Sequence, residues 1–106
     1  MKRGDLVTVA LSGDYGKPRP ALIVQSDAFR LLDSVVLAPL TSTLIDAPLL
    51  RILVEPSEAT GLRKPSAVMV DKIVAVPHSL IGPQIGTVSA QVLDSVTQAM
   101  QRLLNT

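Results

Sequence analysis

PRPALIVQS, residues 18 to 26, sets an arginine between two prolines and then runs into four consecutive apolar residues. Each proline fixes its own φ, and a residue that precedes a proline is driven out of the helical region. Arg19 is therefore extended and held at a restricted angle. The run from residue 20 to 26 is continuously apolar before it reaches Gln25 and Ser26, which predicts a strand covered on both faces.

The flanking segments extend the same pattern. DLVTVAL, residues 5 to 11, is short, rich in β-branched residues and partly alternating, so it reads as a strand. SVVLAPL, residues 34 to 40, predicts another strand, ended by the turn in PLTST. PLLRILVEP, residues 48 to 56, predicts a strand between prolines in which Arg51 alternates with apolar neighbours and faces outward. AVMVDKIVAV, residues 67 to 76, predicts one strand or two short ones with Asp71 and Lys72 in the middle. DAFRLL is long enough for a single turn. SGDYGK, SEATGLRKPS and PHSLIGPQIG read as loops and connectors, each carrying glycine or proline.

The last segment has a different period. VSAQVLDSVTQAMQRLL, residues 88 to 104, places apolar residues at 88, 92, 96, 99, 100, 103 and 104, one stripe of a helix. Ser89 or Thr87 can cap it. Five or more short strands and one C-terminal helix in a chain of 106 residues predict a small, strongly curved β-barrel built as one domain, residues 1 to 106.

Composition narrows the function. Apolar residues make up 47% of the chain, yet Tyr15 and Phe29 are its only aromatics, so the core is aliphatic. A formal net charge of +1 gives no strong bulk field for nucleic acid, and such contact would need a local cluster. With no cysteine there are no disulfides, thiol nucleophiles or cysteine metal sites. The basic start meets Asp5 almost at once, the apolar run after it is too short and interrupted for a secretion signal, and no stretch approaches the ~20 apolar residues of a membrane span. The expectation is a soluble, cytoplasmic protein. The single histidine, His78, reads as a surface loop residue; without cysteines or a carboxylate cluster it makes a poor metal site.

Four local features carry chemistry. GKPRP, residues 16 to 20, fixes a guanidinium at a strand start, where it can grip a phosphate or form an internal ion pair. PLTST, residues 39 to 43, gathers hydroxyls at a strand end; Thr41 and Ser42 can donate to a phosphate oxygen or bond their own backbone. GLRKPS, residues 61 to 66, offers two adjacent positive charges in a loop. Asp71 sits in an apolar run and needs a partner if buried, for which Arg19 is a candidate.

In this order and at this length, Arg3-Gly4-Asp5, residues 16 to 20, residues 39 to 42, residues 61 to 66, Asp71-Lys72-Ile73 and the terminal helix together resemble the MazF/PemK family of toxins. The resemblance covers nearly the whole chain. It implies a small SH3-like barrel with a C-terminal helix, a homodimer, and metal-independent cleavage of single-stranded RNA without a cofactor. It also implies a small antitoxin as partner, with DNA engaged only through that antitoxin and no membrane contact. The family's catalytic arginine falls on Arg19 and its threonine on Thr41. Lys17, Ser42 and Asp71 fall at substrate-binding positions, Lys64 takes the place of the family's lysine, and Tyr15 is the one ring placed to stack on a base. One branch uses an aspartate at the position of Asp71 with an arginine two residues earlier; here that earlier residue is Met69. Lys72 stands where some relatives have glutamine. Two other classes share the fold: a gyrase poison, which relies on a tryptophan near the end of the helix that this chain lacks, and a non-catalytic interaction module.

Overall fold

The computed structural model describes residues 1 to 11 and 17 to 106. The expected loop at residues 12 to 16, with Gly16 and the stacking role of Tyr15, lies outside the described residues.

Seven strands and a helix follow one another: β1 (Asp5–Val9), β2 (Arg19–Ile23), β3 (Ser34–Thr41), β4 (Arg51–Val54), β5 (Ser66–Met69), β6 (Val74–Pro77), β7 (Ile81–Thr87) and α1 (Ala90–Leu104). All described pairings are antiparallel. The strand order is β4-β5-β3-β2-β1-β7, and β6 also pairs with β3. The long β3 thus belongs to two ladders: its first half pairs with β6 and its last residues with β5. The split between β5 and β6 falls at a short 3-10 turn, Val70–Lys72, which is where the sequence puts a charged pair into an apolar run.

Both faces of the central strands are covered, as the unbroken apolar run of β2 requires. Leu6, Leu22, Ala38, Leu40, Val54 and Val68 point to one core, which α1 closes with Val96 and Ala99. Val7, Val9, Ala21, Ile23, Leu37 and Val76 point the other way and form a second buried cluster. Among the described residues no aromatic belongs to either. Ser89 caps the helix, its hydroxyl accepting from the Val92 N–H at 3.2 Å. The stripe is buried at Val96 and Ala99, while the last turn leaves Leu103 and Leu104 exposed. The opening Arg3-Gly4-Asp5 ties these parts together: the Arg3 guanidinium bonds Val24 O and the Thr97 hydroxyl of α1, and Gly4 exchanges backbone bonds with Ile23 and Val88.

One expectation is overturned. Residues 81 to 86, the second part of the stretch expected to be a connector, form β7 together with Thr87, and this strand pairs with β1 through two register shifts. The turn formers serve close packing instead. A Cβ at Gly82 would stand 2.3 Å from the Thr8 hydroxyl oxygen, and one at Gly86 would stand 2.3 Å from Ala59 O and 2.4 Å from Thr60 O. Pro83 falls in the irregular stretch between the pairs Val7–Gln84 and Val9–Ile81, where a missing N–H costs no ladder bond. The turn at residues 57 to 61 lies against β7 there, and the Thr87 N–H donates to Ala59 O at 2.8 Å. That bond bridges the two ends of the sheet.

Candidate nucleic-acid groove

Arg19 is the first residue of β2 and Thr41 the last of β3, on adjacent antiparallel strands. Their ladder pairs Ala21 with Pro39, Leu22 with Ala38 and Ile23 with Leu37. Both residues lie just beyond the Ala21–Pro39 pair, so a guanidinium and a hydroxyl 22 positions apart in sequence come to the same end of this ladder.

That end forms one wall of a groove of about 1120 Å³, whose lining includes Arg19, Thr41, Ser42, Thr43, Met69 and Lys72. The lining also includes Arg63 and Lys64, from the loop that leads into β5, and Ile85 of β7. The turn at residues 57 to 61 holds that loop in place: the Thr60 hydroxyl accepts from Ser57 N–H at 3.0 Å, and Gly61 N–H donates to Ser57 O at 2.9 Å. Leu62, next to Arg63, is anchored in the core under α1. The Ser66 hydroxyl donates to Lys64 O at 3.0 Å, which fixes the backbone after the basic pair.

Four cations, Arg19, Arg63, Lys64 and Lys72, line this groove, and no Asp or Glu is among its described lining residues. In a chain with 10 Lys and Arg against 9 Asp and Glu, this is a local concentration of positive charge that net charge conceals. Among the described residues no group of three His, Cys, Asp or Glu side chains is placed to hold a metal ion.

The hydroxyl cluster combines two roles. Thr41 Oγ1 accepts from the Thr43 N–H at 3.1 Å, so it closes the local turn. That bond uses a lone pair of the oxygen and leaves the O–H proton to donate outward. Ser42 lies beside it on the groove wall.

The remaining candidates are placed differently. Lys17 is exposed and is not among the groove's described lining residues. Asp71 is also outside the lining, and the partner the structure gives it is Arg51 rather than the expected Arg19. Arg51 donates from Nε to Oδ1 at 3.1 Å and from Nη2 to Oδ2 at 3.3 Å. The Arg51 guanidinium beside it holds the Asp71 carboxyl below its ordinary value. Such a carboxylate is a weaker proton acceptor than a free one.

Arg51 was missed as a site-region residue because alternation along β4 turns it away from Ile52 and Val54. It does lie on that opposite face, but the Val70–Lys72 turn covers it, and its side chain is only 15% exposed. Arg51 is also the register partner of Met69. The guanidinium next to Asp71 therefore comes from the neighbouring strand, beside the position where one branch of the resembled family carries its arginine. No sequence spacing signals this; only the β4–β5 register does. His78, read as a surface residue, is exposed and bonds Leu32 O at 2.9 Å through Nε2.

Comparison with known proteins places the chain in a family. Residues 2–104 match the family described as PemK-like, MazF-like toxin of type II toxin–antitoxin system, and the chain belongs to that family. It is 49% identical over 87 residues to a probable endoribonuclease MazF of Mycolicibacterium smegmatis, covering 81% of this chain and 80% of that one. The fold is similar to the Mycobacterium tuberculosis toxin MazF-mt6, with a TM-score of 0.81, 26% identity, and 95% and 96% of the two chains covered. It is also similar in fold to a mycobacterial endoribonuclease solved in complex with its cognate antitoxin, with a TM-score of 0.80, 24% identity, and 99% and 95% covered. The SH3-like, mainly β architecture with a C-terminal helix is the fold of these toxins.

Proposed function

We propose that this toxin is an endoribonuclease that binds single-stranded RNA along the cationic groove and cleaves it between Arg19 and Thr41. The observation that carries the reading is that a proline-flanked guanidinium and a strand-end hydroxyl line one groove together with three further cations.

The reaction needs no nucleophile from the protein. The ribose 2′-oxygen attacks the adjacent phosphorus, forming one P–O bond while the bond to the 5′-oxygen breaks. The 2′-hydroxyl loses its proton and the leaving 5′-oxygen gains one, giving a 2′,3′-cyclic phosphate and a 5′-hydroxyl. The protein holds the attacking and leaving oxygens in line and stabilises the charge that builds on the phosphoryl oxygens. Arg19 supplies that stabilisation from a backbone that Pro18 and Pro20 restrain. The Thr41 O–H donates to a phosphoryl oxygen, its own oxygen fixed by the Thr43 N–H. Arg63, Lys64 and Ser42 hold flanking phosphates, with Lys17 contributing from outside the groove wall.

In this reading residues 1 to 106 act as one toxin domain, as a homodimer in the cytoplasm. RNA loss stops growth until an antitoxin of the same pair neutralises the toxin by covering the groove. No helix of the described chain is long and apolar enough to cross a membrane.

The test is incubation of purified protein, freed of bound partner, with mixed-sequence single-stranded RNA in EDTA, beside Arg19→Ala. Cleavage by the wild type alone, with cyclic-phosphate ends, supports the reading. Equal cleavage by Arg19→Ala removes Arg19 from the mechanism.

A further inference from the structure

The turn between β5 and β6 is short, and no side chain caps its start. Three tethers hold it instead. Val70 is fully buried in the core beneath the helix. Its N–H donates to Leu50 O at 2.9 Å. Asp71 is gripped by both Nε and Nη2 of Arg51. The last two tethers come from consecutive residues, Leu50 and Arg51, at the start of β4. Lys72 ends this turn and lines the groove beside Met69, whereas Asp71, one residue earlier, faces away into the Arg51 fork.

A lysine side chain is long and has large rotamer entropy, so the backbone that carries it decides how much of its charge reaches one place. A carboxylate next to it in sequence would also neutralise it if that carboxylate were left unpaired. The Arg51 fork removes both problems: it fixes the turn and occupies both oxygens of Asp71. From this geometry we infer that Lys72 contacts a phosphate of the bound RNA strand and that Arg51 and Asp71 are positioning residues for it. This rests on the RNA-cleaving reading of the groove and extends it by one phosphate subsite, with a base-independent contact at its end.

Binding of a fluorescent, mixed-sequence 2′-fluoro RNA, which cannot be cleaved because it lacks the attacking hydroxyl, tests the inference by anisotropy across a salt series. Each phosphate neutralised on a single strand contributes about 0.7 to the slope of log K against log salt. Lys72→Ala is expected to reduce the slope by about that amount. Asp71→Ala decides the positioning role, because it removes a negative charge near the groove. If Asp71 acted only through its charge, the variant would bind RNA more tightly. As a positioning residue its loss weakens binding, lowers the slope as Lys72→Ala does, and adds nothing in the Lys72→Ala background. Asp71→Asn, which keeps one acceptor for Arg51, is expected to fall between, and thermal melts of all variants report whether the fold is kept. Tighter binding by Asp71→Ala, or additive losses in the double variant, would overturn the positioning role. An unchanged slope for Lys72→Ala, with the wild type still binding, would overturn the phosphate contact alone. A wild type that does not bind single-stranded RNA at all would overturn the groove reading and this inference with it.

Discussion

Arg51 and Asp71, 20 residues apart, form a two-pronged ion pair in which Nε meets Oδ1 at 3.1 Å and Nη2 meets Oδ2 at 3.3 Å. The pair is partly open to solvent, so screening keeps its contribution to stability within about 1 kcal/mol. Its pH dependence has a definite sign. The folded pKa of Asp71 lies below its unfolded value of about 3.9, so the stabilisation is present above that value and is lost as pH falls through the folded pKa. The stability difference between wild type and Asp71→Asn, from denaturant titrations, should therefore be constant from pH 8 to 5 and shrink below about pH 4.

The same depression bears on catalysis. Asp71 stays ionised throughout the working range, so a limb in the pH–rate profile between pH 5 and 8 does not arise from it. Single-turnover cleavage by Asp71→Asn should give a profile of unchanged shape, whatever its height. Disappearance of an acidic limb in that variant would make Asp71 a general base.

Arg19→Ala should lower the single-turnover rate by ~10²–10³, the usual loss when one donor to a developing oxyanion is removed. Its far-UV circular dichroism should match the wild type, because Arg19 is exposed at the strand start and packs into neither core. Arg19→Lys should recover little of the rate, since an ammonium cannot reproduce the planar fork.

Thr41 separates by its hydroxyl. Thr41→Ser keeps both the bond from Thr43 N–H and the outward O–H, and should retain most activity. Thr41→Val keeps the shape and loses both. A hydrogen bond to a charged group contributes about 1.5–3 kcal/mol, so a loss of tenfold or more in rate is expected. Rates equal to wild type for Thr41→Val would leave the hydroxyl with its turn role alone.

Gly86→Ala should destabilise the fold by about 2 kcal/mol or more. The new methyl would meet backbone atoms of Ala59 and Thr60 rather than a flexible side chain, and overpacking of this kind typically costs about 1–3 kcal/mol. Ser89→Ala, which removes the helix cap, should cost about 1 kcal/mol. Thermal melts should rank the two in that order, with a fall of roughly 4–8 °C for each kcal/mol.

Much of the architecture was legible because short-range rules govern it. The apolar run after Arg19 reads as a strand covered on both faces, and β2 has a core on each side. The period of residues 88 to 104 and the hydroxyl of Ser89 defined α1 to within two residues. Residues 67 to 76 read as one strand or two, and the structure divides them into β5 and β6 at the charged pair. β7 was not legible, because its glycines and proline read locally as turn formers. They are there for contacts with Thr8 and with residues 59 and 60, which are remote in sequence.

For the candidate site, the sequence by itself determined which groups are available: a restrained guanidinium, strand-end hydroxyls, a basic loop and one carboxylate in an apolar run. Tertiary structure decided which of them work together. The β2–β3 pairing brings Arg19 and Thr41 to one end of the ladder, the loop after residues 57 to 61 adds Arg63 and Lys64 to the same groove, and the β4–β5 register gives Asp71 to Arg51. The physical reason is range. Backbone restraint, helical period and capping act over a few residues and are written in the sequence there. The pairing of charges depends on strand register and curvature, which many distant residues fix jointly as they fill the two cores.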